Sequence, residues 1–204
     1  MKKLLLTLLV VGTGVGAFAQ GKLNVVNDSL HLLYFGNVLK AADTASAGQL
    51  VTASPTPSGA TLVVDLYGGP DANSMTLQTT AIMNPTLPGI FGPMGFTSPN
   101  LPGDVVATMQ VKVRESGFAT AEAAQSGGGY YGYSSIFTLT LSSGISRPTL
   151  VNHESPWFST WADGTFDLGA AGFGVVMVEA IPEPSSLCLI GLGIIALRTP
   201  RRHK

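Results

Sequence analysis

The stretch VVATMQVKVRE, residues 105–115, alternates apolar and polar side chains with a period of two. Val105, Ala107, Met109, Val111 and Val113 fall on one side, and Thr108, Gln110, Lys112 and Arg114 on the other. Successive side chains of an extended chain point to opposite faces, so this is the pattern of an antiparallel strand with one face buried and the other in water. The alternation recurs at 61–67, where Leu62, Val64 and Leu66 share a face before Gly68-Gly69-Pro70 stops the run. It recurs again at 135–141, with Phe137, Leu139 and Leu141 together. Residues 173–180 are apolar on both faces, as a central strand is. Weaker candidates lie at 22–26, 30–39, 49–53 and 76–82. Helical patterning is confined to 119–125, and Gly127-Gly128-Gly129 ends it at once.

About eight strands separated by Gly, Pro, Ser and Asn predict an all-β body over residues 20–180, a single jelly-roll-like β-sandwich. The chain of 204 residues, 45% hydrophobic, is long enough for one sizeable core, and its 25 glycines and 13 prolines fit many turns. Residues 84–104 carry Pro85, Pro88, Pro93, Pro99 and Pro102 with four glycines, and read as one long loop. The formal net charge of −1 hides an uneven distribution. Residues 20–181 hold five basic and eleven acidic side chains, about −6, which argues against a nucleic-acid partner. The single cysteine, Cys188, lies outside the body, which therefore has no internal disulfide.

Both ends carry targeting patterns. Residues 1–19 form a signal peptide: Lys2-Lys3, an apolar run at 4–11, and an A-x-A site at Ala17-Phe18-Ala19, with cleavage expected before Gln20. Residues 181–204 read IPEPSSLCLIGLGIIALRTPRRHK and have three successive parts. Pro182 and Pro184 hold the Pro182-Glu183-Pro184 tripeptide out of helix, the shape a processing enzyme needs to grip a backbone. An apolar run follows, containing Leu187, Leu189, Ile190, Leu192, Ile194, Ile195 and Leu197. Its eleven residues span roughly 16 Å as a helix, a short anchor against a hydrocarbon core of about 30 Å. Arg198, Arg201, Arg202 and Lys204 form a basic end that stays cytoplasmic by the positive-inside tendency. The body is then expected across the membrane.

This order of tripeptide, Leu/Gly-rich apolar helix and arginine-rich end resembles the PEP-CTERM sorting signal of Gram-negative bacteria. The resemblance covers about an eighth of the chain. It implies a membrane-embedded exosortase, a cysteine transpeptidase-like enzyme, that recognises Pro182, Glu183 and Pro184 and removes the helix. It further implies export by the general secretion machinery across the inner membrane and transient anchoring, followed by a cell-surface or extracellular destination. Members of that family often occur where exopolysaccharide is made, so the implied role is structural or adhesive in exopolysaccharide or biofilm.

Within the body no catalytic signature appears. Gly132-Tyr133-Ser134 lacks the second glycine of a nucleophile elbow, and 127–132 lacks the lysine of a phosphate loop. His31 and His153 have no ligand-spaced partners, and Asp65, Asp71 and Asn73 form no calcium loop. The expectation is a non-enzyme without cofactor or metal. Two clusters offer a glycan contact. One runs from Asn152 to Asp167 and holds Trp157, Trp161, Glu154, Asp163 and Asp167; the other is Tyr130, Tyr131 and Tyr133. Aromatic rings stack on sugar faces while carboxylates accept sugar hydroxyls, so a carbohydrate-binding module is the alternative function. A polysaccharide hydrolase using paired carboxylates is a further one. The competing reading places the tryptophans in the core and the tyrosines over the sheet.

Overall fold

The structure, a computed structural model, describes residues 19–162 and 176–180. Among the described residues nine strands follow one another as β1 (Gln20–Val25), β2 (Leu33–Phe35), β3 (Leu62–Gly69), β4 (Thr76–Ile82), β5 (Met94–Pro102), β6 (Val106–Glu115), β7 (Tyr130–Tyr133), β8 (Phe137–Thr140) and β9 (Val176–Ala180). A 3₁₀ turn (Ala41–Ser46) lies between β2 and β3, and helix α1 (Ala121–Ser126) between β6 and β7. The all-β class follows from the period-two patterns.

Strand β6 is the centre of the larger sheet. One edge pairs antiparallel with β3, from Leu62 opposite Glu115 to Gly69 opposite Thr108. The other edge pairs with β7 through Lys112–Arg114 and with β8 through Val106–Met109. The strand order is β2-β9-β7-β6-β3-β4, with β8 beside β6, and the β2–β9 pair is parallel. Strands β1 and β5 form a separate antiparallel pair. Leu23, Val25 and Leu101 of that pair share one buried cluster with Leu62, Val64, Leu66, Met109, Val111, Val113 and Leu139 of the larger sheet.

The inward column of β6 is as the alternation predicts from Ala107 onward. Val105 departs from it: it precedes the strand and is half exposed, like Val106. The cause is the β5–β6 turn, where Asp104 adopts a left-handed φ of 60° and its carboxylate takes the Ser143 hydroxyl. Residues 49–53 supply only a bridge, Leu50 to Tyr34, and 30–39 shortens to β2.

The largest correction concerns 84–104, expected as loop but containing β5. Pro99 and Pro102 are tolerated because β5 pairs with β1 alone, leaving positions where no ladder donor is required. The register jumps from Gln20–Pro102 to Lys22–Thr97, and within the jump Ser98 Oγ accepts from the backbone N–H of Leu101 (2.9 Å) and Asn100 (3.2 Å). Gly92 has φ +76°, and a Cβ there would stand 2.0 Å from the Val25 carbonyl oxygen, so a side chain would force β1 away.

Trp161 is completely buried, its ring stacked on Phe137 at 4.8 Å and 8° and tilted on His31 at 4.8 Å. Its Nε1 has no hydrogen-bond partner among the described residues. Among those residues, no helix is long and apolar enough to cross a membrane; the predicted apolar run at 187–197 lies outside them. Trp161→Ala is expected to cost roughly 3–5 kcal/mol, the usual range for removing a buried tryptophan. Denaturant unfolding of the variant reads this, and a loss below about 1 kcal/mol would contradict the core assignment.

Candidate functional site

The C-terminal strand runs almost directly into the predicted tripeptide. Tyr130 pairs with Ala180 and Tyr131 with Glu179, and the Ala180 N–H donates to the Val38 carbonyl at 2.8 Å. Pro182, Glu183, Pro184, the apolar run and the basic end lie outside the described residues, as does Ala17. Ala19 and Gln20 are exposed, and Gln20 is the first residue of β1.

A buried polar cluster sits where β9 ends. Asp43, in the 3₁₀ turn, is inaccessible to solvent and accepts from the Ser58 N–H (2.7 Å), the Ser58 hydroxyl (2.5 Å) and the Tyr130 hydroxyl. Burial alone would push the Asp43 carboxyl up. The hydrogen bonds from Ser58, Tyr130 and Thr56 outweigh it and hold the group below its ordinary value. Burial, reinforced by Asp43, raises Tyr130. Glu115 Oε2 accepts from the Tyr130 N–H (3.2 Å) and from Lys40 Nζ (2.8 Å). These contacts tie the connection between β2 and β3, through Lys40, Asp43 and Ser58, and the end of β6, through Glu115, to the strand that β9 pairs with.

Tyr130 is therefore a core residue, packed edge-on against Phe35 at 5.9 Å, and presents no ring face to a glycan. Tyr131 points outward, half-buried beside Tyr133 at 5.9 Å. The cluster includes Tyr67, which sequence reading missed because it lies two strands away. Lys112 Nζ stands 4.2 Å from the Tyr67 ring centre and 5.6 Å from that of Tyr133, and bonds Glu122 of α1 at 2.6 Å. Burial pulls Glu122 upward, but Lys112 prevails and keeps it below the usual carboxylate range. Burial first, and then nearby carboxylates, raise Tyr67 and Tyr133. The rings thus roof the outer face of the sheet, with the lysine and α1 already engaged.

The two tryptophans separate completely. Trp161 is core, whereas Trp157 is partly exposed and lines a pocket of about 280 Å³ with Arg147, Thr149, Asn152, Glu154 and Ser155. Asn152 builds this pocket: its Nδ2 donates to the carbonyls of Trp157 (3.1 Å) and Glu154 (3.3 Å), and its Oδ1 accepts from the Glu154 N–H (3.3 Å). The Trp157 N–H closes the turn on the Glu154 carbonyl at 3.1 Å. The site offers one aromatic ring, one cation, one carboxylate and several hydroxyl and amide groups, the donor set of a small polar ligand. Sequence reading found Trp157 and Glu154 but missed Arg147, which carries no local motif. Asp163 and Asp167 lie outside the described residues.

The remaining predicted oxygens have structural partners. Asp65 is buried and bonded to Arg114 Nε (2.6 Å) and the Thr80 hydroxyl (2.6 Å). Asp71 accepts from the N–H groups of Asn73 (2.8 Å) and Ser74 (3.1 Å), and those bonds hold its carboxyl below the ordinary range. His31 is buried, with Nδ1 2.7 Å from Asp28 Oδ1 and Nε2 3.3 Å from the Trp161 carbonyl. Among the described residues, no three His, Cys, Asp or Glu side chains are grouped to hold a metal.

Because the native Asp43 carboxyl is depressed, its stabilisation is complete above the unfolded value of about 3.9 and is lost as pH falls through the lower native one. Urea unfolding across acid pH should show that this increment vanishes in Asp43→Asn. At neutral pH Asp43→Ala should cost about 1–3 kcal/mol, because the buried Tyr130 hydroxyl loses its acceptor. Identical acid profiles for the wild type and Asp43→Asn would refute this account of the cluster.

No curated protein and no solved structure matches the chain. The family model of the PEP-CTERM protein-sorting motif matches residues 180–202, beginning at the last residue of β9. The chain carries this motif at its C-terminal end, the mark of a protein exported to the cell envelope or beyond and processed by exosortase, a membrane enzyme.

Proposed function

We propose that the body, a sandwich-like pair of sheets around one core, is a non-enzymatic structural or adhesive component of extracellular polysaccharide. In this reading it holds the polysaccharide through the Trp157 pocket. The observation that carries the proposal is Trp157 at a partly open pocket, which it lines with Pro148 and with several polar and charged side chains. A pyranose presents an apolar face to such a ring and hydroxyls to its surroundings, where the Glu154 carboxylate accepts and the Thr149 and Ser155 hydroxyls donate or accept. At about 280 Å³ the pocket is at the small end of ligand sites. A larger groove of about 460 Å³, lined by Val26, Leu32, Leu87, Pro88 and Ile90, is mainly apolar and suits a sugar poorly. The motif supports an extracellular destination, where a matrix glycan is the abundant ligand.

Delivery follows the two ends. The signal peptide is removed before Gln20, the body crosses the inner membrane, and the anchor holds it until exosortase acts near Pro182-Glu183-Pro184. The exposed start of β1 at Gln20 supports the first cut, since no strand residue is lost by it. The intact mass of protein recovered from the surface of producing cells should correspond to new ends near Gln20 and Pro182. Recovery of Cys188 with the terminal arginines would overturn processing.

For the body, retention of the full chain on matrix polysaccharide from producing cells should fall about tenfold or more in Trp157→Ala, a loss of at least ~1.4 kcal/mol. Tyr131→Ala should retain binding. Unchanged retention in a folded Trp157→Ala protein would overturn the glycan role.

A further inference from the structure

The cations of the body are almost all engaged. Lys22 Nζ donates to the Gly144 carbonyl at 3.0 Å, Lys40 pairs with Glu115, Lys112 with Glu122, and Arg114 with Asp65. Arg147 is the fifth basic residue between 20 and 181, and among the described residues it has neither an ion pair nor a side-chain hydrogen bond. It lines the same pocket as Trp157 and Glu154. Its guanidinium is not splayed away from the body: a Cβ on Gly95 of β5 would stand 2.5 Å from Nη1. The absence of a side chain at Gly95 lets the arginine lie on the strand.

Opposite charges that line one small pocket would ordinarily neutralise each other. Arg147 and Glu154 do not, since no ion pair within 4.0 Å joins them. We propose that the Trp157 pocket selects an acidic sugar, a uronic acid unit of a polysaccharide. Arg147 binds the carboxylate, Trp157 packs on the ring, and Glu154 accepts hydroxyl hydrogens. The inference rests on the glycan reading above. A planar guanidinium matches a carboxylate with two parallel N–H···O bonds, and a neutral sugar would leave it without an anion. The rest of the body does not supply this preference. At about −6 it repels a polyanion, so acid selectivity has to be local to Arg147.

The test uses the full chain in detergent, with oligogalacturonate and oligomannuronate as probes. Each is compared with its carboxyl-reduced form, which keeps the rings and linkages but not the charge. Calorimetric titration should show at least one acidic oligomer binding about tenfold or more tighter than its reduced form. Arg147→Gln should bring the two forms to parity while the circular dichroism spectrum is unchanged, and Arg147→Lys should restore only part of the difference. Trp157→Ala should weaken both forms. Equal binding of the acidic and reduced forms, with both lost in Trp157→Ala, would overturn acid selection and leave the glycan reading standing. So would a selectivity that persists in Arg147→Gln. If neither form of either oligomer binds, the glycan reading fails and this inference fails with it.

Discussion

The double pairing of β6 is the constraint on which the larger sheet depends. Ten residues long, it is bonded to β3 on one edge and to β7 and β8 in succession on the other. Its buried column of Ala107, Met109, Val111 and Val113 fixes which face turns inward. A one-residue slip would send that column into water and bury Lys112 and Arg114 in its place. The outward side chains add a second lock. Arg114 reaches the buried Asp65 of β3 and the Phe118 carbonyl (2.5 Å), while Lys112 reaches Glu122. Register, loop placement and the seat of α1 therefore follow from one strand.

Alternation made the sheet legible. In 107–115, 61–67 and 135–141 the apolar side chains alternate onto one buried face, and period two is plain there. The proline-rich β5 was not legible, because a strand with one partner escapes the rule against proline that central strands obey. Short β7 hides behind a triple glycine, and the hydroxyl of its buried Tyr130 is bonded to Asp43, 87 residues away in sequence. Pairing order is equally invisible locally: nothing in residues 33–35 announces a parallel partner at 176–178.

The functional residues divide along the same line. A spacing of four puts Trp157 and Trp161 on the same face of a continuous strand, which favours one fate for both. The Asn152-anchored turn breaks that continuity. Alternation resumes only at Ser159, which is buried, followed by exposed Thr160 and buried Trp161. One ring thus becomes core and the other pocket wall. Arg147 gains its place only through contact with β5, more than fifty residues upstream, so no motif could have assigned it. The sorting motif is the opposite case. It is read as a linear string by an enzyme, so it is as plain in sequence as it will ever be.

That string and the fold meet at one residue. Ala180 is the last member of β9 and the first of the motif, and it is buried and bonded to Val38 and Tyr130. Removing chain from residue 181 onward leaves every described β9 bond in place. Removing even a few residues more would take away the strand that joins β2 to β7. The family-model match therefore begins where the described sheet ends. At this end of the sheet Tyr130 of β7 bonds both Asp43 of the β2–β3 connection and Glu115 at the end of β6. The hydrogen-bonded cluster and the start of the sorting motif thus share one end of the sheet.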